Sequence, residues 1–183
     1  MSGSGYVRTI ELTPPALGNN TADAQRLEQA LKKALNTGFV HVPQALMPDL
    51  PARLRAWGWR AKAVLFKDRR SFKVVDLLDP ADPGPVLGAA VDIGTTRMVI
   101  SLMDLETGEK LGETGFDNPQ AEIGPDVLTR IHHARTPAGR EQLKALAVEA
   151  LNRHLADLCR DHQAAPDRVF LVAGAGNTAM THL

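Results

Sequence analysis

The chain has a single cysteine, Cys159, in 183 residues. An internal disulfide is therefore excluded, and so is any thiolate cluster for zinc or iron–sulfur built from this chain alone. No apolar run approaches the ~18 residues that a membrane span needs, and the N-terminus lacks the apolar core of a signal peptide. No membrane partner is expected, and the cytoplasm is the expected compartment. An excess of either charge is missing too. The 21 Lys and Arg residues balance 21 Asp and Glu residues, which leaves no electrostatic footprint for a nucleic acid in the total.

What is present is ordinary for a globular protein. Hydrophobic residues make up 44% and charged residues 23% of the chain, so neither disorder nor a fibrous repeat is favoured. The length suits one large domain or two small ones. Charge is spread unevenly between the halves: residues 1–85 carry 12 basic against 8 acidic groups, and residues 86–183 carry 9 against 13. A split of +4 and −4 gives mild support to two units.

Residues 1–5, Met-Ser-Gly-Ser-Gly, have the composition of a flexible leader. Tyr6 to Leu12 reads as a strand ended by Pro14 and Pro15. Asn20 or Thr21 can then cap a helix that places Ala24, Leu27, Leu31 and Leu35 on one face and stops at Gly38. Phe39 to Val42 is a short extended piece, and an irregular helical stretch follows from Pro43 to Trp57, with Gly58 as its stop. Trp59 to Phe66 and Phe72 to Leu78 read as strands joined by the charged turn Lys67-Asp68-Arg69-Arg70. Residues 6–78 are thus expected to form a small α+β domain. Residues 79–86, rich in proline and glycine, read as a linker.

Beyond it, Leu87 to Ile93, Met98 to Leu105 and Lys110 to Phe116 read as three strands in two hairpins. Asp126 to Ala134 reads as a helix, and Thr136-Pro137 is a cap followed by proline at the first helical position. Leu143, Leu146, Ala147, Ala150, Leu151, Leu155 and Leu158 then recur at spacings of three and four, as one buried helical stripe would. Val169 to Ala173 reads as a buried strand, after which Gly174 opens a new element. The second unit is expected to be βββ-α-α-β.

Asp92-Ile93-Gly94-Thr95-Thr96 sits at the joint of the first hairpin of that unit. Gly94 permits a tight turn, so the amides of Gly94, Thr95 and Thr96 can converge on phosphate oxygens with the threonine hydroxyls as further donors. Asp92 suits a Mg²⁺ ion, held largely through its bound water. A polar β-turn of the ordinary Asp-x-Gly kind is an equally good account of these residues taken alone. Asn177 and Thr178 follow the fourth strand, where ligands gather in open α/β folds, and either could also simply cap a helix.

Residues 87–183 resemble the ATPase domain of the reductive activators of corrinoid proteins, which belong to the superfamily of acetate and sugar kinases, heat-shock chaperones and actin. The resemblance is carried by Val91 to Thr96, Asp104 to Gly108, Asn118-Pro119-Gln120, Gly124, Asp126-Val127, Arg130-Ile131-His132, Gly176-Asn177-Thr178, Met180 and His182. Residues 6–85 are similar to the domain that precedes it, through Leu12-Thr13-Pro14-Pro15, Asp23 and Arg26-Leu27. The fold so implied is an α+β middle domain followed by half of an α/β, RNase H-like ATPase domain. The implied activity is ATP-driven return of Co(II) corrinoid protein to Co(I), with ATP and Mg²⁺ as cofactors and a corrinoid protein as partner. Electrons would come from a two-iron ferredoxin domain that this chain does not hold. Asp92, Gly94, Thr95, Thr96, Asn177 and Thr178 would bind nucleotide, with Asp92 toward the metal, and the chain by itself is expected to be inactive.

A small-molecule kinase of the same superfamily and a non-enzymatic docking or dimerisation module stay open beside that reading. Arg97 is expected to face solvent. His132 and His133 point about 100° apart on a helix and cannot form a metal pair. Cys159 is expected to be packed and inert, Trp57 and Trp59 to serve a core or internal interface, and Lys67, Arg69 and Arg70 to form a solvated turn.

Overall fold

The computed structural model describes residues 5–182. These fall into two compact units. The first runs to Val86 and includes Leu105–Gly108; the second holds Leu87–Asp104 and the residues from Glu109 onward.

The first unit contains β1 (Val7–Glu11), α1 (Asp23–Leu35), β2 (Val40–His41), α2 (Leu50–Ala56), β3 (Arg60–Asp68) and β4 (Ser71–Leu78). Its sheet has the order β1-β3-β4-β2, with β2 parallel to β4 and the other pairs antiparallel. Ala61, Ala63 and Leu65 alternate along β3, as a half-buried strand requires. They share one core with Val74 and Leu77, with Leu27 and Leu31 of α1, and with Leu50 and Leu54 of α2. Trp57 and Trp59 pack half-buried against it. The strands of the β3–β4 hairpin pair as far as Asp68 and Ser71, so the turn is shorter than its charged sequence suggests; Arg69 adopts φ 51° in it.

Both ends of α1 differ from expectation. Asn36, at φ 48°, ends the helix two residues before Gly38, and the amide of Thr37 donates back to Lys32 O at 3.1 Å. Asparagine tolerates the left-handed conformation well enough to close a helix without glycine. At the other end Ala22 is the N-cap, with no side-chain bond, rather than Asn20 or Thr21. The preceding loop is committed elsewhere, because it wraps the guanidinium of Arg26, which is only 4% exposed. Nε donates to Thr21 O at 3.1 Å, Nη1 to Thr13 O and Pro14 O at 3.0 and 3.3 Å, and Nη2 to Asn19 O and Oδ1, both at 2.9 Å. Five bonds match the five N–H groups an arginine owns. In the proline-rich segment that follows β4, Asp79 and Asp82 accept from the amides of Ala81 and Gly84, each at 2.8 Å, and build two local turns.

The second unit contains β5 (Leu87–Ile93), β6 (Arg97–Asp104), β7 (Lys110–Asp117), α3 (Val127–His133), α4 (Pro137–Asp161) and β8 (Val169–Gly176). Strands β5, β6 and β7 are antiparallel, β8 lies parallel to β5, and the sheet order is β7-β6-β5-β8. Thr136 Oγ1 accepts from Gly139 N at 3.0 Å with Pro137 inside the first turn, so α4 begins where its cap sequence places it. One face of the sheet, with Leu87, Ala89, Val91, Ile100 and Leu102, packs on Leu158 and Cys159 of α4, flanked by Leu151 and Leu155. The stripe of α4 is narrower than its periodicity suggests. Leu143, Ala150 and Leu158 are buried, whereas Leu146, Ala147, Leu151 and Leu155 are half-buried. Cys159 is buried and its thiol is pushed above the usual range by desolvation, which suits an inert packed residue.

Strand β8 runs three residues past Ala173, to Gly176. The Ala173-Gly174-Ala175-Gly176 run has turn-like composition, yet its backbone pairs with β5 from Ala90 to Ile93, and ladder hydrogen bonds need no side chains. Its last five residues are exposed, Val172 at 63%. Among the described residues no helix is long and apolar enough to cross a membrane.

Candidate functional site

The pairing of β5 with β8 ends at Ile93 opposite Gly176, so the turns that follow the two strands emerge side by side. They touch: Asn177 Nδ2 donates to Thr95 Oγ1 at 3.0 Å. Asn177 Oδ1 accepts from Met180 N at 3.0 Å and closes the next turn, while Thr178 offers its carbonyl to Thr181 Oγ1 at 2.9 Å. Asn177 rather than Thr178 thus does the capping, and what it caps is a turn.

The Gly94-Thr95-Thr96 turn is gripped by its carbonyls. Gly94 O accepts from Asn118 Nδ2 at 2.9 Å, Thr95 O from Arg130 Nη1 at 2.8 Å, and Thr96 O from Asn118 N at 2.8 Å. All peptide units of the described chain are trans, and in a planar trans unit the carbonyl and N–H point opposite ways. The amides of Thr95 and Thr96 share peptide units with Gly94 O and Thr95 O. They therefore face away from Asn118 and Arg130. A donor on the carbonyl also polarises its peptide and strengthens the N–H at the other end. Gly94 is needed for close approach rather than for positive φ, because a Cβ there would collide with the carbonyl of Arg97. Arg97 itself is exposed and lies across β7, Nη2 donating to Gly115 O at 3.1 Å.

Behind the turn stands a polar core. Asn118 and Gln120 are 1% exposed and Arg130 is 0% exposed. Arg130 Nε donates to Gly124 O at 2.7 Å, and Nη1 reaches Gln120 Oε1 at 3.4 Å and Met180 Sδ at 3.8 Å besides Thr95 O. Gln120 Nε2 in turn donates to Leu143 O at 3.0 Å, tying this cluster to α4. The Nη2 of Arg130 is buried without a hydrogen-bond partner, which is costly for a charged group. Burial lowers its pKa, opposed by the charge of Asp126, and no ion pair with a carboxylate is formed among the described residues. Asp126 caps α3, accepting from Thr129 N at 2.9 Å and Thr129 Oγ1 at 2.8 Å, which hold its carboxyl below the ordinary value of 3.8.

Asp92 points to the sheet face opposite α4. With Ala90, Val99, Ser101, Glu113, Ala173 and Ala175 it lines a shallow cavity of about 470 Å³. Among the described residues no three His, Cys, Asp or Glu side chains stand together as a metal cluster would need. The Glu113 carboxylate in that cavity is taken up by Lys110 and Ser101, and the exposed Asp92 carboxylate fits Mg²⁺, which keeps most of its water and takes few protein ligands. It does not fit a metal held by protein alone. An iron–sulfur cluster has no fit here either, with one buried cysteine. His132 is exposed and His133 pairs with Gln142 Oε1 at 3.0 Å, so the two do not converge.

The family model for the RACo middle region matches residues 87–183, and that for the RACo linker region matches residues 6–82. The chain belongs to the RACo family. It is 30% identical over 100 residues to the corrinoid activation enzyme RamQ of Eubacterium limosum, an alignment covering 54% of this chain and 17% of that protein. A solved structure of a reductive activator for corrinoid, iron-sulfur protein matches with a TM-score of 0.85 at 30% identity, covering 96% of this chain and 28% of the other. The chain thus spans under a third of the length of either relative. In RACo terms the first unit is the linker region and the second is the middle region.

Of the residues singled out in the sequence, this RACo middle region brings Gly94, Thr95, Thr96 and Asn177 to one edge. Asp92 stands on the exposed face of β5 nearby, and Thr178 contributes backbone only. The parts that hold the turn, Asn118, Gln120 and Arg130, were marked by resemblance without a role. Asn118-Pro119 did carry a local signal. Asn118 Oδ1 caps a 3₁₀ turn at Gln120 N (3.0 Å) with proline at the first position, a readable start sequence. Nothing local distinguishes an inward Arg130 from a solvated one.

Proposed function

We propose that this chain is the linker and first ATPase portion of an ATP-dependent reductive activator, which returns Co(II) corrinoid protein to Co(I) with electrons from a two-iron ferredoxin-type domain. The observation that carries this reading is the meeting of the Gly94-Thr95-Thr96 and Asn177 turns at the ends of parallel strands, with loop carbonyls turned inward and amides outward. Such a nest of N–H donors suits phosphate oxygens. The strand order β7-β6-β5-β8, three antiparallel strands with the fourth parallel to the first, supports an RNase H-like half of the actin and sugar-kinase type. The names of the relatives, a corrinoid activation enzyme and a reductive activator for corrinoid, iron-sulfur protein, support the reaction and a corrinoid protein as partner.

In this reading Thr95 and Thr96 bind phosphate through amides and hydroxyls, and Asn177 fixes the Thr95 hydroxyl. Asp92 would hold Mg²⁺, and the ion would supply neutralisation of charge on the phosphates. Positioning and preorganised electrostatics carry most phosphoryl-transfer catalysis, and losing one well-placed donor costs ~10² to 10³ in rate. A chain with one side of the site should therefore turn over ATP no faster than background. Phosphate release and calorimetry with ATP and Mg²⁺ test this directly. Multiple turnovers by the 183-residue chain would refute the half-site reading. In the intact protein, Gly94→Val should abolish ATP turnover, because its side chain forces Arg97 O and the turn apart. Unchanged turnover would remove the loop from the mechanism.

A further inference from the structure

Arg130 is a charged group with no exposed surface, no ion pair among the described residues and one nitrogen without an acceptor. Buried charges are normally paired, since removing an ion from water is costly. Its strongest contact to the turn is Thr95 O, at 2.8 Å. That carbonyl belongs to the same peptide unit as the outward N–H of Thr96. A fixed positive charge on one end of a peptide dipole makes the N–H at the other end a better donor, most of all in a low-dielectric surrounding.

We infer that Arg130 is a positioning residue for anion binding, holding the Thr95–Thr96 peptide with its donor outward and supplying from beneath the positive charge that a polyphosphate bound on the turn balances. The inference rests on the nucleotide reading of the turn and adds to it the residue that sets its affinity. Arg130 does not touch the ligand. It acts through Thr95 O and, by its contact to Met180 Sδ at 3.8 Å, also borders the turn that Asn177 closes. Asn118 performs the same service for Gly94 O and Thr96 O without a charge, so charge is what Arg130 adds.

The test is a titration of the 183-residue chain with sodium tripolyphosphate, followed by ¹H–¹⁵N resonances of the Thr95 and Thr96 amides and of the Arg130 Nε–H. All three should shift with one saturation curve. Arg130→Gln should weaken binding about ten-fold or more, the scale of a lost charge-assisted contact. Arg130→Lys should recover much of that affinity while remaining less stable than wild type, which a purely packing role would not produce. Should Arg130→Gln fail to fold, the wild-type Nε signal still decides. An Nε–H that stays still while the two amides shift overturns the inference and leaves the phosphate turn standing. Amides that do not shift at all overturn the nucleotide reading and this inference together.

Discussion

Each unit buries an arginine under a loop, and the two arginines differ in how completely the loop satisfies them. Arg26 has five neutral oxygen acceptors for five N–H groups, all from residues 13–21. Arg130 has acceptors on Nε and Nη1 and none on Nη2. The first arginine completes its loop. The second leaves both N–H groups of Nη2 without an acceptor, beneath a turn whose amides face outward. Hydrogen-bond accounting thus separates an arginine that its loop satisfies in full from one that its surroundings leave partly unsatisfied.

The largest effect that would sharpen the contrast is removal of Arg130. Arg130→Met leaves Gly124 O, Thr95 O and Gln120 Oε1 without their donor, the first and last of them on buried residues and Thr95 half-buried. A loss of about 3 kcal/mol or more is expected in urea unfolding of the second unit, the scale of an orphaned buried network. Arg26→Met should cost less, about 1–2 kcal/mol, because Pro14 and Asn19 are exposed and water can replace the guanidinium. Equal losses at the two sites would erase the distinction. Asn177→Ala removes the contact to Thr95 Oγ1 and the cap on Met180 N, and about 1 kcal/mol with a several-fold drop in tripolyphosphate affinity should follow. Unchanged affinity would mean that Asn177 merely builds its own turn.

The smallest effect is expected in pH dependence. Thr129 holds the Asp126 carboxyl below its ordinary value of 3.8. The ionised form is favoured in the fold, so this contribution is complete above that ordinary value and drains as pH falls through the lowered one. Asp126→Asn, which still caps α3, should flatten the acid limb of the stability curve with little change at neutral pH.

Legibility followed the range of the forces involved. The strands β5 to β7 and the Thr136-Pro137 start of α4 were readable because alternation, turn residues and caps act within a few positions. That Asn177 follows a strand of the same sheet as the Gly94 turn was readable from topology, but its hydrogen bond to Thr95 was not. Arg26 and Arg130 were not readable as buried residues. An arginine three residues from an apolar neighbour looks the same whether its partners are carbonyls far along the chain or water, and Thr95 lies 35 positions from Arg130. The end of β8 differs from the local signal for the opposite reason: alanine and glycine favour a turn, but the β5 backbone recruits them into the ladder.

Strand β8 hydrogen-bonds only β5 among the described residues, and its C-terminal half is bare of covering side chains. Such a strand opens independently of the rest of its sheet, as a low-stability cooperative segment whose amides exchange with solvent well before those of β5 or β6. Opening it would carry Asn177 away from Thr95 and cut Met180 loose from Arg130, so the two events share one equilibrium. An anion that binds only the closed form must then slow deuterium uptake in Ala173–Gly176, residues it never touches, by the factor by which its concentration exceeds its dissociation constant.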